Sequence, residues 1–197
     1  MNFLAHIYLS GDNPLIQLGN FAGDWIKGNI ASAEKKYPAE MVLGIKLHRY
    51  IDSFTDSDAT VQKSVSRLKK DFGLYASIVN DVVYDYFLAK NWEKYSAESL
   101  EDFSSRFYAN CLKYYDILPP EVQLIIPHLI LSGRLQSYKT LDGLQAALKT
   151  MSEKTSLPDL SEKAVETVKI NTAAYQEEFS EFWEIIRRKT AENFLLK

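Results

Sequence analysis

The chain has 197 residues, 46% of them hydrophobic and 13% aromatic, which is enough for one domain with a sizeable core and too apolar for disorder to dominate. Its net charge of -3 supplies no general field for nucleic acid, so an anionic partner would have to meet a local basic patch. A single cysteine, Cys111, excludes an internal disulfide and fits a reducing compartment, where its plainest role is that of a small buried apolar side chain.

The opening segment "MNFLAHIYLS" lacks a basic leader and a long apolar stretch, so it does not read as a secretory signal. It reads instead as a helix with Asn2 and His6 four apart among apolar neighbours. After a turn signal at "SGDNP", the segment "LGNFAGDWIKGN" again sets two polar residues, Asn20 and Asp24, four apart. Its glycines allow close backbone approach. Further turn signals at 27–29 and 35–38 lead into "GIKLHRYIDSFTDSD", residues 44–58. At about 100° per residue, His48, Asp52 and Thr55 share one stripe of that helix, directly beside a core stripe of Leu47, Ile51 and Phe54.

"ASIVNDVVYDYFLAKNW" is apolar nearly all round, the pattern of a buried helix, yet it carries Asp81 and Asp85. Turn signals follow at 116–120 and 154–158, with the apolar run "LIIPHLIL" between them. Pro127 and His128 interrupt that run, which falls far short of the roughly 20 residues a membrane span needs. His128 is taken as structural. The last third, from Ser161, reads as one long amphipathic helix, straight or kinked, with Ser161 near its N-cap. The basic run at 187–189 suits a helix C-terminal dipole. No alternating strand pattern, repeat or linker is found. The expectation is an all-α, single-domain helical bundle over residues 1–197, with about seven to nine helices, in a soluble, cytoplasmic protein without membrane or nucleic-acid partners.

Four polar patches therefore fall on helices, rich in His and Asp. A His with an Asp one turn later offers two ligand atoms to one point, and two buried carboxylates need a cation or strong donors to offset desolvation and repulsion. Each patch also admits a purely structural reading: a His–Asp hydrogen bond, a core histidine, or an Arg or Lys partner from another helix. Imidazole with carboxylate favours a divalent ion, Mn2+ or Mg2+ first, with Fe2+ or Zn2+ also accepted. Neither a CxxC, a Walker loop, a dinucleotide fingerprint, HExxH nor GxSxG occurs.

Taken in order, "MNFLAHIYLS", "GNFAGDWIKG", "GIKLHRYIDSFTDS" and "DVVYDYFLAKNW" resemble the acyl carrier protein phosphodiesterase family, itself similar to the all-α, HD-type phosphohydrolases. The resemblance covers almost the whole chain and implies hydrolysis of the phosphodiester joining phosphopantetheine to a serine of holo-acyl carrier protein, with a divalent metal, often manganese. Matched position by position, it points to His6, Asp24, His48, Arg49, Asp52, Thr55, Asp56, Asp81 and Asp85. The chain departs from many relatives in reading Asp58 and Ala59 after "TDS" and Tyr86 after the second helical aspartate. It also contains no His-Asp dipeptide.

On this reading His6, Asp24, His48, Asp52, Asp81 and Asp85 supply metal ligands. Arg49 meets phosphate charge, and Asp56 protonates the leaving serine oxygen. Lys27 and Lys46, with Lys35 and Lys36, would dock the acidic carrier protein. Two other readings stay open: a phosphohydrolase acting on a nucleotide or other small phosphoester, and a non-catalytic helical binding module.

Overall fold

Close approach between two helix backbones sets the frame of the molecule, a computed structural model that describes residues 1–156 and 158–196. Helix α2 (Pro14–Phe21) lies against α4 (Ala39–Ser57). A Cβ on Gly19 would fall 2.0 Å from the Met41 carbonyl oxygen, and one on Gly44 would fall 2.2 Å from that of Ile16. Only glycine at both positions lets the axes come this near. The contact brings Asn20, which follows Gly19, toward His48, one turn beyond Gly44.

Around this pair the chain runs α1 (Phe3–Tyr8), α3 (Ile30–Glu34), α5 (Ala59–Phe72), α6 (Ala76–Lys90), α7 (Leu100–Lys113), α8 (Pro120–Leu131), α9 (Arg134–Ser137), α10 (Leu141–Lys154), α11 (Ser161–Ile170) and α12 (Thr172–Phe194). Among the described residues there are twelve α-helices and no strand. The all-α class agrees with the sequence, and the count exceeds seven to nine because short pieces such as α3 and α9 carry too little periodicity to be read. The turn signal at 154–158 includes Leu157, which lies outside the described residues.

Helix α6 is central, with Val79, Val83, Tyr84, Phe87 and Leu88 fully buried. Its aromatic side chains meet α12, where the Tyr84 and Phe179 rings sit 5.4 Å apart edge to face and Phe179 stacks on Trp183 at 5.5 Å. A bidentate pair ties α5 to α12, Arg67 Nη1 and Nη2 donating to Glu178 at 2.6 and 2.7 Å. Cys111 is buried in the same core.

Three local expectations are corrected. The C-terminal third is two helices, broken at Asn171, and Leu160 rather than Ser161 stands at the N-cap of α11. Pro127, which interrupts the apolar run as read from the sequence, lies inside helix α8 without ending it. The Gln123 carbonyl, which Pro127 cannot supply with an N–H, accepts the Tyr115 hydroxyl at 3.2 Å instead. The basic run at 187–189 lies before the last turn of α12. There Arg187 pairs with Glu184 and sits over the Tyr8 and Tyr95 rings, so helix-end charge is not its explanation. No described helix is long and apolar enough to cross a membrane.

Candidate metal centre

Helix α1 is only six residues long, too short to persist by propensity, and Asn2 at its N-cap makes no capping bond with its side chain. Asp85 on α6 does that work from across the core: its carboxylate accepts the Leu4 N–H at 2.8 Å and the Ala5 N–H at 3.1 Å. One turn earlier, Asp81 accepts the Met1 ammonium at 2.8 Å. The carboxylates that looked unpartnered in the sequence are thus met by strong donors from the start of the chain. Burial raises the Asp85 carboxyl to about 7 against the pull of the two amides, and burial likewise raises Asp81 against the Met1 ammonium.

Anchored this way, α1 turns His6 toward α4. His6 Nε2 lies 3.1 Å from Asp52 Oδ1, and His48 Nε2 lies 3.0 Å from Asp52 Oδ2. The imidazoles stack, 4.4 Å between centroids. Asp24, in the one-turn 3-10 segment Gly23–Trp25, brings its Oδ1 to 3.4 Å from His48 Nε2. Gly23 makes room for this, since a Cβ there would fall 2.2 Å from His48 Cγ. Both histidines are buried while Asp24 and Asp52 open toward solvent. The centre is therefore a wall of imidazoles behind carboxylates at a mouth.

Charge follows geometry. Burial opposes protonation of His48, but the hydrogen bonds that Asp24 and Asp52 accept from it push it up to about 9. Burial also opposes ionisation of Asp52, and His48 and His6 nevertheless hold its carboxyl well below the usual carboxylate range. Asp24 is lowered chiefly by its bond to His48. His6 is lowered by burial against the pull of Asp52, with His48 adding to the effect.

Ligand atoms of His6, His48 and Asp52 all lie within 4.8 Å of one another. Two imidazole nitrogens facing one carboxylate form a donor set suited to a divalent cation. Asp24 stands beside them as a further oxygen donor, and a narrow crevice lined by Met1, Asn2, Phe3, His6, Asn20, Phe21, Asp24 and His48 leads to the group. A roomier cleft of about 530 Å3, with Tyr8, Phe103, Arg106 and Arg187 among its walls, shares no residue with the cluster.

Four of the six sequence-derived ligands thus meet: His6, Asp24, His48 and Asp52. Asp81 and Asp85 face the first residues of the chain instead. Arg49 is half-buried, and its Nη2 donates to the Ile26 and Gly28 carbonyls at 3.3 and 2.8 Å, clamping the loop after Asp24. Asp56 is exposed one turn beyond Asp52. Lys27, Lys35 and Lys36 are exposed, and Lys46 is engaged with Glu34 at 3.1 Å. Asp58 caps α5, accepting from Thr60 and Val61 N–H at 2.8 and 3.1 Å. Tyr86 is buried edge-on to Phe87, and His128 is exposed.

Sequence reasoning placed Asn20 near the chemistry without a task. The structure sets its Oδ1 2.7 Å from His6 Nδ1. The contact of Met1 with Asp81 left no sequence signal.

A helical bundle holding two histidines and an aspartate at one point defines a candidate metal-binding protein. A family model for acyl carrier protein phosphodiesterase matches residues 1–186. The acyl carrier protein phosphodiesterase of Yersinia enterocolitica is 31% identical over 155 residues, covering 78% of this chain and 79% of that one. The protein of the same name from Enterobacter sp. is 27% identical over 184 residues, 93% and 94% of the two chains. No solved structure matches. The chain belongs to the acyl carrier protein phosphodiesterase family, and with it to the hydrolases of phosphodiester bonds.

Proposed function

We propose that the protein is a metal-dependent hydrolase that releases 4'-phosphopantetheine from the serine of an acyl carrier protein, working in the cytoplasm. The observation that carries this reading is the convergence of His6, His48 and Asp52 within 4.8 Å in a chain of this family. His6, His48, Asp52 and Asp24 would hold the ion, Mn2+ by the chemistry of the donor set, with Mg2+, Fe2+ and Zn2+ as the competing choices. Such an ion supplies Lewis-acid activation of water and of a phosphoryl oxygen.

The remaining roles fall to the chain's own groups. The buried histidines keep one side of the centre dry, and Asp52 orients both imidazoles. Arg49 fixes the loop that follows Asp24 and carries Lys27, and its guanidinium nitrogens beyond those carbonyl bonds are the donors it can offer a phosphate. Asp56 is the proposed donor of a proton to the leaving serine oxygen, which is a poor leaving group without one. Asp81 and Asp85 are assigned to anchoring the start of α1 rather than to ligation. Lys27, Lys35 and Lys36, with Lys46 after release from Glu34, would meet the acidic carrier protein.

The deciding assay offers holo-acyl carrier protein and a panel of nucleotide phosphoesters to the same enzyme under the same Mn2+ conditions. Release of phosphopantetheine from the carrier protein, lost on chelation and restored by Mn2+, is the expected result. Hydrolysis confined to nucleotides would move the substrate assignment. Absence of both hydrolysis and metal binding would leave a binding module.

A further inference from the structure

Asn20 is fully buried on α2, and the orientation of its amide is fixed from both ends. Nδ2 donates to the His6 carbonyl at 2.8 Å and to Ser10 Oγ at 2.8 Å. The Ser10 hydroxyl spends its own proton on the same His6 carbonyl, also at 2.8 Å, so toward Asn20 it can only accept. Both Nδ2 hydrogens are thereby used, and Oδ1 is the atom that faces His6 Nδ1, at 2.7 Å. An amide oxygen has no hydrogen to give. The hydrogen in that contact therefore belongs to Nδ1.

The other ring nitrogen inherits the consequence. With Nδ1 carrying a hydrogen, His6 Nε2 directs its remaining valence at two oxygens, Asp52 Oδ1 at 3.1 Å and the Met1 carbonyl at 3.1 Å. A lone pair set among oxygen acceptors is repelled unless a cation lies between them. His48 has no such support: its Nδ1 is buried without a hydrogen-bond partner among the described residues. The two stacked imidazoles are thus unequal, His6 fixed at Nδ1 by an amide and His48 held only through Nε2, by the carboxylates of Asp52 and Asp24.

We propose that Asn20 is a positioning residue that locks His6 as the Nδ1–H tautomer and so makes Nε2 its only nitrogen available to the metal. This rests on the reading of His6 as a ligand given above. Asn20 touches neither metal nor substrate; it acts through the imidazole, as outer partners of ligating histidines generally do.

The test uses the full-length protein with 15N-labelled histidine, loaded with diamagnetic Zn2+, together with Mn2+ titrations of the metal-free protein. In the wild type His6 Nδ1 keeps a slowly exchanging proton and Nε2 shows the shift of a metal-bound nitrogen; an unprotonated Nδ1 overturns the proposal without any variant. Asn20→Ala weakens Mn2+ binding about 10- to 100-fold. Helical circular dichroism of the metal-free variant confirms folding, and if Asn20→Ala does not fold, the wild-type spectrum decides.

Wild-type affinity in folded Asn20→Ala, beside loss of binding in His6→Ala, overturns the positioning role alone. Wild-type affinity in His6→Ala overturns the ligand reading on which it stands.

Discussion

The imidazole of His6 lies over that of His48, with 4.4 Å between centroids and 30° between planes, and each presents its Nε2 to a different oxygen of Asp52. Two imidazolium rings at this distance would repel, so one carboxylate between two ring nitrogens is better satisfied by a divalent ion than by two protons. Mn2+ is accordingly expected to raise the melting temperature, the stabilisation reaching about 2.7 kcal/mol at a hundredfold excess over its Kd. Asp52→Ala should abolish that rise and the hydrolysis while leaving helical circular dichroism intact. A full Mn2+-dependent shift in Asp52→Ala, read by calorimetry, would place the ion elsewhere.

Asp85 separates a ligand from an anchor. Both of its oxygens are engaged by backbone N–H of α1, and its removal leaves two donors unsatisfied where little water reaches. Leaving a buried donor unmatched costs about 1–3 kcal/mol, so Asp85→Ala should lose stability on that scale in denaturant unfolding. Asp85→Asn, which retains an oxygen acceptor, should lose less. Mn2+ affinity of the folded variants is expected to stay near that of the wild type. A large loss of affinity without loss of stability would return Asp85 to the ligand set.

Much of this centre was legible because it rests on helical spacing. The His48 and Asp52 stripe beside the core stripe of Leu47 and Ile51 is a property of one helix, and α4 bears both. What spacing could not show was which distant groups come to meet a carboxylate. Asp81 and Asp85 carry the same four-residue signature as His48 and Asp52, yet their partners are an ammonium and two amides contributed by residues about 80 positions earlier. Backbone donors have no side-chain signature. The all-α class was likewise readable from periodicity, whereas the break at Asn171 and the passage of α8 through Pro127 depend on tertiary contacts such as the Tyr115 hydroxyl on the Gln123 carbonyl.

Gly23 offers a test of how tightly the centre is built. Its missing side chain is the space the His48 ring occupies, since a Cβ would come within 2.2 Å of Cγ and 2.5 Å of Cδ2. Neither atom is the end of a flexible chain, so Gly23→Ala must displace the imidazole or the turn that carries Asp24. Overpacking of this kind costs about 1–3 kcal/mol. The expected outcome is a modest fall in melting temperature with loss of most Mn2+ affinity and turnover. Unchanged affinity and activity in Gly23→Ala would mean that the position of His48 is not critical.

His48 contributes to the alkaline pH dependence of the metal-free protein, and the raised Met1 ammonium acts in the same sense. The folded pKa of His48 stands at about 9 against an ordinary 6.5 because Asp24 and Asp52 hold its proton against the opposing effect of burial. A group raised in the folded state binds protons there that the unfolded chain has already released, so stability falls as pH rises between the two values. The stabilising contribution of His48 is therefore complete below about pH 6.5 and disappears as the pH climbs through about 9.

Asp52 and Asp24, held low in the folded state, act in the opposite sense: their contribution is present above about pH 4 and fades on acidification. Thermal melts of chelator-treated protein should thus decline from pH 7 toward pH 10, and His48→Gln should reduce that decline to the part carried by the Met1 ammonium. Bound Mn2+ would replace the protons held among these groups, so the loaded wild type should lose the His48 part of the alkaline slope as well. A slope that persists unchanged in both His48→Gln and the Mn2+-loaded protein would assign it to another group.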